Sequence, residues 1–328
     1  MSPKPASTSP LLGESGASQE RLDCEIVVIG YNSAQYIDDL LDSLPAATRG
    51  LRARCTVVDN NSQDGTQSKV RARTDVRLIE AGRNLGYSGA INIGRAAAGP
   101  CSSLLITNPD LIFEPDAITN LYRALKVERS GVSVPMMCQL DGSLYFSLRR
   151  EANLLTALGD ALFGERWPTR PGWLSDIVRD KRMYEYPHDV DWASGAAMLI
   201  SEQCNEAVGD WDSTRFFLYA EETDFAARAR RLGFRLRYVP EARVRHESGG
   251  SGRSPALYTL MHVNRMRYFE KYHSRLSCVV FRGITILHHL LRVRDPDMRA
   301  TLRVVLRRSS WAALPHGDPS DDDLVASR

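Results

Sequence analysis

The fold is decided by residues 24–66, which read CEIVVIGYNSAQYIDDLLDSLPAATRGLRARCTVVDNNSQDGT. The apolar run at 25–30 has the length of a buried strand. Residues 34–44 then place apolar side chains at i, i+3, i+4 and i+7, as an amphipathic helix does. A second apolar run at 55–59 ends in a polar turn. This order of strand, helix and strand predicts two parallel strands joined by a crossover helix.

The alternation of strands and helices continues along the chain. Further strands are predicted at 76–80 and 103–107, and further helices at 88–98 and 115–126. Strands that alternate with helices form a parallel sheet covered by helices on both faces. The sequence therefore predicts the α/β class, with a Rossmann-like, mostly parallel sheet and flanking helices.

The second half of the chain is less periodic. Residues 140–190 are interpreted as an irregular excursion that contains one helix, at 151–162. Regular elements return with a strand at 194–200, a helix at 221–232, and strands at 234–239 and 243–246.

Composition excludes several classes of protein. Of the 328 residues, 43% are apolar and 25% are charged, as in a globular protein. The net charge of +2 argues against nucleic acid as a partner. Six cysteines lie far apart without a C-x-x-C pair, which favours a reduced cytoplasmic protein over a zinc module or a disulfide scaffold. The sequence holds no apolar run long enough to suggest a spanning helix.

The two ends differ from the main part of the chain. Residues 1–22 lack the apolar core of a signal peptide and are expected to be a disordered leader. Residues 274–312 are expected to form a basic amphipathic helical extension, because 275–308 hold eight arginines and two aspartates among apolar residues. Two interpretations of it stay open: contact with a membrane surface, and packing on the main domain with the arginines in water. Residues 313–328 are expected to be a disordered acidic tail.

Polar side chains follow the predicted strands where each strand ends. They are Tyr31 and Asn32, Asp59, the loop 82–89, and the turn 108–110. In parallel sheets ligands bind beyond the carboxyl ends of the strands, where loops and helix N-termini converge. We expect these residues to line one crevice.

The crevice residues indicate nucleotide and metal chemistry. Asp59 can accept a hydrogen bond from a base, and the small residues of 84–92 permit close approach. The G-x-G-x-x-G and G-x-x-x-x-G-K-[ST] patterns are absent, which argues against dinucleotides and P-loop chemistry. Asp110, beside Asn108, suits a hard divalent cation, although helix capping is the simpler explanation. His246 lies at a predicted strand end, and its neutral imidazole is a good metal ligand, although a lone histidine is more often structural.

Three acidic residues open the predicted helix that follows the aromatic stretch 216–219. They are Glu221, Glu222 and Asp224. The helix dipole favours one or two acids there. Three packed together raise at least one carboxyl pKa, which is how a carboxylate becomes a general base near neutral pH.

Taken together, seven blocks of sequence resemble inverting glycosyltransferase family 2, with the GT-A fold, and within it the bacterial rhamnosyltransferase-like members. The resemblance covers residues 25 to 270. The blocks, in order, read IVVIGYN (26–32), VVDNNSQDGT (57–66), NLGYSGAINIG (84–94), TNPD (107–110), DWASGA (191–196), FFLYAEETDFAAR (216–228) and YVPEARVRH (238–246).

The resemblance implies a donor site. Asp59 would hold the nucleotide base, with Tyr31, Asn32, Asn84 and Gly86 around base and ribose. The turn with Asn108 and Asp110 stands where the family has D-x-D, so both would face the donor. Asp110 and His246 would bind the Mg²⁺ or Mn²⁺ that bridges the diphosphate. Asn108 replaces the first Asp of that motif, which removes one charge from the metal site.

The resemblance also implies the reacting groups. Glu222 falls where the family's catalytic base lies, with Asp224 supporting it. Asp191, Trp192 and Glu221 would belong to the acceptor site. Glu222 stands where Asp is commoner, so its reach is one methylene longer.

These implications define a metal-dependent inverting glycosyltransferase. A GT-A domain would span 23–273, divided into a nucleotide-binding half (23–130) and an acceptor and catalytic half (131–273). The enzyme would move a sugar, with rhamnose favoured, from dTDP-rhamnose or a UDP-sugar to a saccharide or lipid-linked saccharide in cell-surface glycan synthesis. It would lie in the cytoplasm, peripheral to the inner face of the plasma membrane.

Two alternatives to this function stay open. A nucleotidyltransferase would bind a similar ligand, but it would be expected to carry a basic, Gly-rich loop after the first strand, and residues 30–34 hold no Lys or Arg. A non-catalytic nucleotide-sugar-binding protein would have no need of the acids at 110, 222 and 224 together with the histidine at 246.

Overall fold

The computed structural model describes residues 21–247 and 254–315. The expected leader and acidic tail therefore lie outside the described residues, apart from 21–22 and 313–315. The strands are β1 (Cys24–Gly30), β2 (Ala53–Asp59), β3 (Val76–Glu80), β4 (Ser103–Thr107), β5 (Leu111–Phe113), β6 (Ser130–Gln139), β7 (Leu148–Arg149), β8 (His188–Val190), β9 (Trp192–Ala193), β10 (Ala197–Ser201) and β11 (Arg235–His246). The helices are α1 (Ile37–Ala47), α2 (Thr66–Arg71), α3 (Gly86–Ala97), α4 (Ala117–Ala124), α5 (Leu154–Leu162), α6 (Glu202–Val208), α7 (Glu221–Arg231), α8 (Pro255–Tyr272), α9 (Arg275–Leu290) and α10 (Pro296–Leu306). Short 3₁₀ helices lie at Gly164–Arg166, Gly172–Leu174, Lys181–Tyr184 and Arg308–Ala313.

The central sheet has the strand order β3-β2-β1-β4-β10-β6-β11-β5, with β8 paired to β11. Its first four strands are parallel, as the sequence predicts, and their register aligns Gly30 with Asp59 and Asp59 with Glu80. The carboxyl ends of β1, β2 and β3 therefore meet at one edge. The prediction of an α/β fold with a mostly parallel sheet is confirmed.

The second half of the sheet mixes strand directions. Strand β10 runs antiparallel between β4 and β6, and β11 runs parallel to β6. The strands predicted at 234–239 and 243–246 are one strand, β11, with a shift of register between Val239 and Arg243. Strand β6 was not predicted. It lies in the same sheet as β1, so the proposed halves 23–130 and 131–273 share one sheet.

Helices cover both faces of this sheet, and every residue of β1 is therefore buried. On one face α1 and α4 contribute Leu40 and Leu121, and on the other α3 and α7 contribute Ile91 and Phe225. The one acid of β1, Glu25, accepts hydrogen bonds from Arg54 and Thr56 at 2.8 and 2.7 Å. Its buried charge is thereby paired.

A separate helical layer follows the sheet. Helices α5, α8, α9 and α10 share an apolar cluster that includes Val263, Phe269, Phe281, Val305 and Trp311. The predicted basic extension is helical, but it consists of α9 and α10 joined by a turn. Helix α8 was not predicted. Within the described residues, no helix combines the length and hydropathy needed to cross a membrane.

Candidate active site

The carboxyl ends of β1 and β2 form the floor of the predicted crevice. Asp59 is fully buried, and its Oδ2 accepts hydrogen bonds from the Ser62 amide (3.0 Å) and the Gln67 side chain (2.7 Å). Its Oδ1 is buried and has no hydrogen-bond partner among the described residues. That oxygen is a free acceptor, which suits the N–H of a base. Tyr31 follows Gly30, the register partner of Asp59, and is 39% exposed. The backbone amide of Asn32 donates to Ser62 Oγ at 2.9 Å.

Asn84 and Gly86 shape the loop after β3. Asn84 Oδ1 accepts from Asn60 Nδ2 (2.8 Å) and from the Gly86 amide (3.0 Å). Gly86 has φ +70°, and a Cβ there would lie 2.2 Å from Phe217 O. The Tyr87 amide donates to that same oxygen at 2.7 Å. Only glycine permits this approach. Gly86 and Tyr87 therefore join the start of α3 to the segment before α7.

The predicted metal pair is in direct contact. His246 Nε2 lies 3.2 Å from Asp110 Oδ2, and the Tyr145 ring packs edge-on against the imidazole with centroids 5.7 Å apart. Asp110 Oδ1 and His246 Nδ1 are buried without a hydrogen-bond partner in the described part of the chain. The Asn108 amide donates to Ala196 O at 2.8 Å.

Asp110 and His246 supply only part of the ligand set that a divalent cation needs. A carboxylate oxygen without a partner beside an imidazole nitrogen is a reasonable pair of ligands for Mg²⁺ or Mn²⁺. Residues 21–247 and 254–315 hold no group of three His, Cys, Asp or Glu side chains that could bind a metal ion. A cation at Asp110 and His246 would therefore need oxygens from a ligand such as a diphosphate.

The two acids that open α7 are buried and adjacent. Burial raises the pKa of Glu221 well above its usual range, and the neighbouring charge of Glu222 raises it further. Burial also raises the pKa of Glu222, against backbone N–H groups of the first helical turn and the charge of Arg149, which lower it. The Oε2 atom of each lacks a hydrogen-bond partner among the described residues. Burial therefore favours the protonated form of both carboxyls, and more strongly that of Glu221.

A strained turn holds these acids. Tyr219 and Ala220 have φ of 69° and 70°, which non-glycine residues seldom adopt. Asn264 of α8 is fully buried, and its Nδ2 donates to Leu218 O at 2.8 Å and to Tyr219 O at 3.3 Å. Strain of this kind persists only when surrounding contacts enforce it. Sequence reasoning missed Asn264, because nothing local marks it.

Arg149, which sequence reasoning also missed, lies near enough to Glu222 for its charge to lower the pKa of that carboxyl. It stands opposite Trp192 in the register of β7 and β9, and its guanidinium carbon is 5.9 Å from the centre of that ring. Its Nη1 donates to Leu148 O at 3.1 Å. Gly195 packs against Glu222 so closely that a Cβ there would lie 2.9 Å from Glu222 Cβ.

Asp191 and Trp192 bind the backbone of the segment that carries Arg149. Asp191 Oδ2 accepts from the Glu151 amide at 2.8 Å, and Trp192 Nε1 donates to Arg150 O at 2.9 Å. These contacts hold β7 beside β9. Direct contact of the two side chains with an acceptor stays a prediction.

Asp224 lies at the contact between α7 and α8. It is fully buried; its Oδ2 accepts from Arg228 Nε at 2.9 Å, and its Oδ1 contacts the Tyr272 hydroxyl (2.6 Å) and Lys271 Nζ (2.7 Å). Two residues along a helix turn a side chain by about 200°, so Asp224 points away from the Glu222 side. Its contacts tie α7 to α8.

The metal pair and the acids converge near Tyr87. The Tyr87 hydroxyl donates to Gly195 O at 3.2 Å, and Gly195 contacts Glu222. Burial raises the pKa of Tyr87 well above its usual range, and the charges of Glu221, Glu222 and Asp110 raise it further. Tyr87 therefore lies close enough to Asp110, Glu221 and Glu222 for the charge of each to act on its hydroxyl.

Comparison with known proteins identifies the family of this chain. Residues 25–187 match the model of the family described as Glycosyl transferase family 2. The N-acetylglucosaminyl-diphospho-decaprenol L-rhamnosyltransferase of Mycobacterium tuberculosis, in strains CDC 1551 and H37Rv, is 31% identical over 250 residues, which cover 72% of this chain and 80% of that protein. The low-salt glycan biosynthesis hexosyltransferase Agl10 of Haloferax volcanii is 29% identical over 215 residues, covering 64% of this chain and 62% of that protein.

A solved structure shares the fold. The crystal structure of GalNAc-T7 with UDP, GalNAc and Mn²⁺ superposes with a TM-score of 0.63 at 14% identity, over 91% of this chain and 59% of that one. The GT-A expectation and the resemblance drawn from the seven blocks are thereby confirmed, and the nucleotidyltransferase alternative is not supported. The chain belongs to glycosyltransferase family 2 and is a glycosyltransferase with rhamnosyltransferase-like relatives.

Proposed function

We propose that this enzyme transfers rhamnose from a nucleotide-diphosphate donor to a saccharide carried on a membrane lipid, with inversion at the anomeric carbon. The observation that supports the proposal is that the buried Tyr87 hydroxyl donates to Gly195, which contacts Glu222, while the charges of Asp110 and Glu222 both act on Tyr87 and His246 contacts Asp110. A single displacement needs a diphosphate-binding pair on one side of the reacting carbon and a base on the other.

In this mechanism Glu222 removes the proton from the acceptor hydroxyl. The acceptor oxygen then attacks the anomeric carbon from the face opposite the diphosphate, and the C–O bond to the diphosphate breaks. The raised pKa of Glu221 favours its protonated form, which reduces the negative charge that Glu222 faces. Glu221 would thereby be free to donate a hydrogen bond to the acceptor.

Asp59 and the metal pair would bind the donor. The buried Oδ1 of Asp59 is suited to accept from the base, with Tyr31 and Asn32 beside it in the crevice. Asp110 and His246 would hold Mg²⁺ or Mn²⁺ together with diphosphate oxygens, and Asn108 would place its polar side chain next to them. When bound, such a cation neutralises charge that develops on the leaving diphosphate.

The relatives support the choice of substrates. The mycobacterial relative is named for rhamnose transfer to N-acetylglucosaminyl-diphospho-decaprenol, and GalNAc-T7 was solved with UDP and Mn²⁺. The name of the mycobacterial relative is the reason why we favour dTDP-rhamnose over a UDP-sugar as donor, and a lipid-linked saccharide as acceptor. An acceptor that stays in a bilayer would bring the enzyme to the cytoplasmic face of the plasma membrane as a peripheral protein.

A donor panel tests this proposal. The full chain is incubated with Mn²⁺, a water-soluble N-acetylglucosaminyl diphosphate carrying a short alkyl chain, and each of dTDP-rhamnose, UDP-glucose, UDP-galactofuranose and GDP-mannose. Release of dTDP from dTDP-rhamnose that depends on acceptor, with a product of inverted anomeric configuration by NMR, is the expected result. Turnover of only a UDP- or GDP-sugar would refute the donor, and a retained configuration would refute the mechanism.

A further inference from the structure

Helix α9 exposes a face of apolar side chains, which a helix that only packs on a domain would normally bury. Three residues of the face turned toward the protein are buried: Phe281, Thr285 and His289. A helix that covers a domain normally turns its apolar stripe inward and its polar residues to water. Here the outward face is apolar, with exposed fractions of 75% for Leu276, 69% for Val279, 42% for Val280 and 50% for Leu290.

Exposed apolar side chains concentrate in the layer that contains α9. Of seventeen large apolar side chains exposed in the described residues, twelve lie on α5, α8, α9, α10 or the segments that follow them: Leu155, Leu162, Trp167, Trp173, Met261, Leu276, Val279, Val280, Leu290, Leu291, Val293 and Leu306. Singly exposed apolar residues are ordinary, whereas a concentration marks a contact surface. Helix α5 packs on α9, and Arg292 Nη1 donates to Ala161 O at 2.8 Å, so this layer is one body.

The segment that contains α9 and α10 is strongly positive. Residues 275–308 carry eight arginines and two aspartates, while the whole chain has a net charge of only +2. Arg275 and Arg294 stand exposed near the two ends of α9, and Arg299, Arg303 and Arg307 are exposed on or beside α10. Basic residues beside an apolar helix face complement anionic headgroups. Trp167 and Trp173, 41% and 60% exposed, are of the type that prefers a membrane interface.

We propose that the outward face of α9, from Leu276 to Leu290, with the arginines around it, binds the surface of a bilayer that contains anionic phospholipid. The helix has sixteen residues, and no helix in the described ranges can cross a membrane, so it would lie along the interface. The inference deepens the proposed function and rests on it for its purpose, because a lipid-linked acceptor is confined to the bilayer.

This placement connects the membrane to the catalytic segment. Helix α8 packs on α9, and its residue Asn264 holds the strained turn immediately before Glu221. Helices α9 and α8 thus connect the bilayer contact to the acids of α7. A docked enzyme would present its acceptor side in a fixed orientation to the headgroup region.

The experiment uses the full chain and sedimentation with sucrose-loaded vesicles, either of phosphatidylcholine alone or with about one third phosphatidylglycerol. We expect binding to the anionic vesicles to be stronger by about tenfold or more and to weaken with added salt. The double variant Leu276→Asp/Val279→Asp should lose about tenfold or more of this binding, because two charges would enter the apolar interface. Both side chains are largely exposed, so the variant should fold.

A matched control is Leu232→Asp, a similarly exposed leucine (56%) at the end of α7, which should leave vesicle binding unchanged. Equal binding of the double variant and the wild type would overturn the proposal, as would equal binding to both kinds of vesicle. Light scattering tests the alternative that this face binds a second copy of the chain. A wild type that is dimeric and a double variant that is monomeric would support that alternative and overturn the proposal.

The two proposals fail separately. Transfer to the water-soluble acceptor needs no bilayer, so the double variant should retain wild-type turnover with it. Loss of that turnover in the double variant would count against a role confined to membrane binding. If the wild type binds vesicles but shows no transfer to any acceptor, the proposed membrane-binding surface is supported and the proposed function is refuted.

Discussion

Asp110 and His246 are separated by 136 positions in sequence, and His246 Nε2 lies 3.2 Å from Asp110 Oδ2. The contact follows from strand pairing: β5 and β11 are antiparallel neighbours, and their register aligns Leu111 with His246. The residue that precedes β5 and the residue that ends β11 must therefore be adjacent. A carboxylate and an imidazole so placed each keep a buried polar atom without a hydrogen-bond partner in the described ranges, which is why we assign them to a cation and a diphosphate.

Replacement of Asp110 tests that assignment. Asp110→Asn should weaken Mn²⁺ binding in the presence of nucleoside diphosphate by about tenfold or more, because the charged ligand is lost. Calorimetric titration of Mn²⁺ into the protein with dTDP measures it. Asp141→Asn, in an exposed turn, is the control and should bind as the wild type does. Unchanged Mn²⁺ affinity in Asp110→Asn would remove Asp110 from the metal site.

Replacement of Glu222 tests the base. Glu222→Gln should lower kcat by about 10² to 10⁴, the usual contribution of a general base, while donor affinity stays near that of the wild type. Stopped assays of dTDP release and equilibrium binding of dTDP measure the two quantities. Glu221→Gln should cost less in kcat, because the raised pKa of Glu221 already favours its neutral form. A Glu221 variant as slow as the Glu222 variant would contradict the division of roles.

Arg149 should control the pH dependence of transfer. Its charge lowers the pKa of Glu222, which burial raises, and Glu221 and Tyr87 are the other titratable groups nearby. Without the charge the pKa of Glu222 rises, so the base is protonated up to a higher pH. Arg149→Gln should therefore shift the acidic limb of the kcat/KM profile to higher pH, with activity recovering in more alkaline buffer. Arg149→Lys should restore the limb. A uniform loss at every pH would indicate a binding role instead.

Asp224 should contribute to stability. Asp224→Asn removes a buried charge from its contacts with Arg228, Lys271 and Tyr272, and should cost about 3 kcal/mol, at the lower end for a broken buried pair because both cations are partly exposed. Urea unfolding measures it. Asp210→Asn, which breaks an exposed pair with Arg95, should change stability by less than about 1 kcal/mol. Lost activity with unchanged unfolding of Asp224→Asn would favour the catalytic support that the sequence predicted.

Local periodicity was enough for the nucleotide-binding half of the fold. The strands at 76–80 and 103–107 have the bounds predicted, since each is a short apolar run between turns, and the crevice at their carboxyl ends follows from parallel order alone. The same reasoning missed β6 and α8. Serines and a proline interrupt the apolar pattern of β6, and the apolar residues of α8 are not confined to one stripe.

By itself, the sequence determined the α/β class and the family, because these depend on neighbouring residues and on ordered blocks of motif, and it predicts roles for the acids at 59, 110 and 222. Only the tertiary structure decided which side chains meet: that His246 contacts Asp110, that Arg149 lies near Glu222, and that Asp224 ties α7 to α8. It also decided that the apolar face of α9 points outward. The amphipathic pattern of a helix specifies that two faces exist, whereas which of them is covered depends on contacts with residues far along the chain.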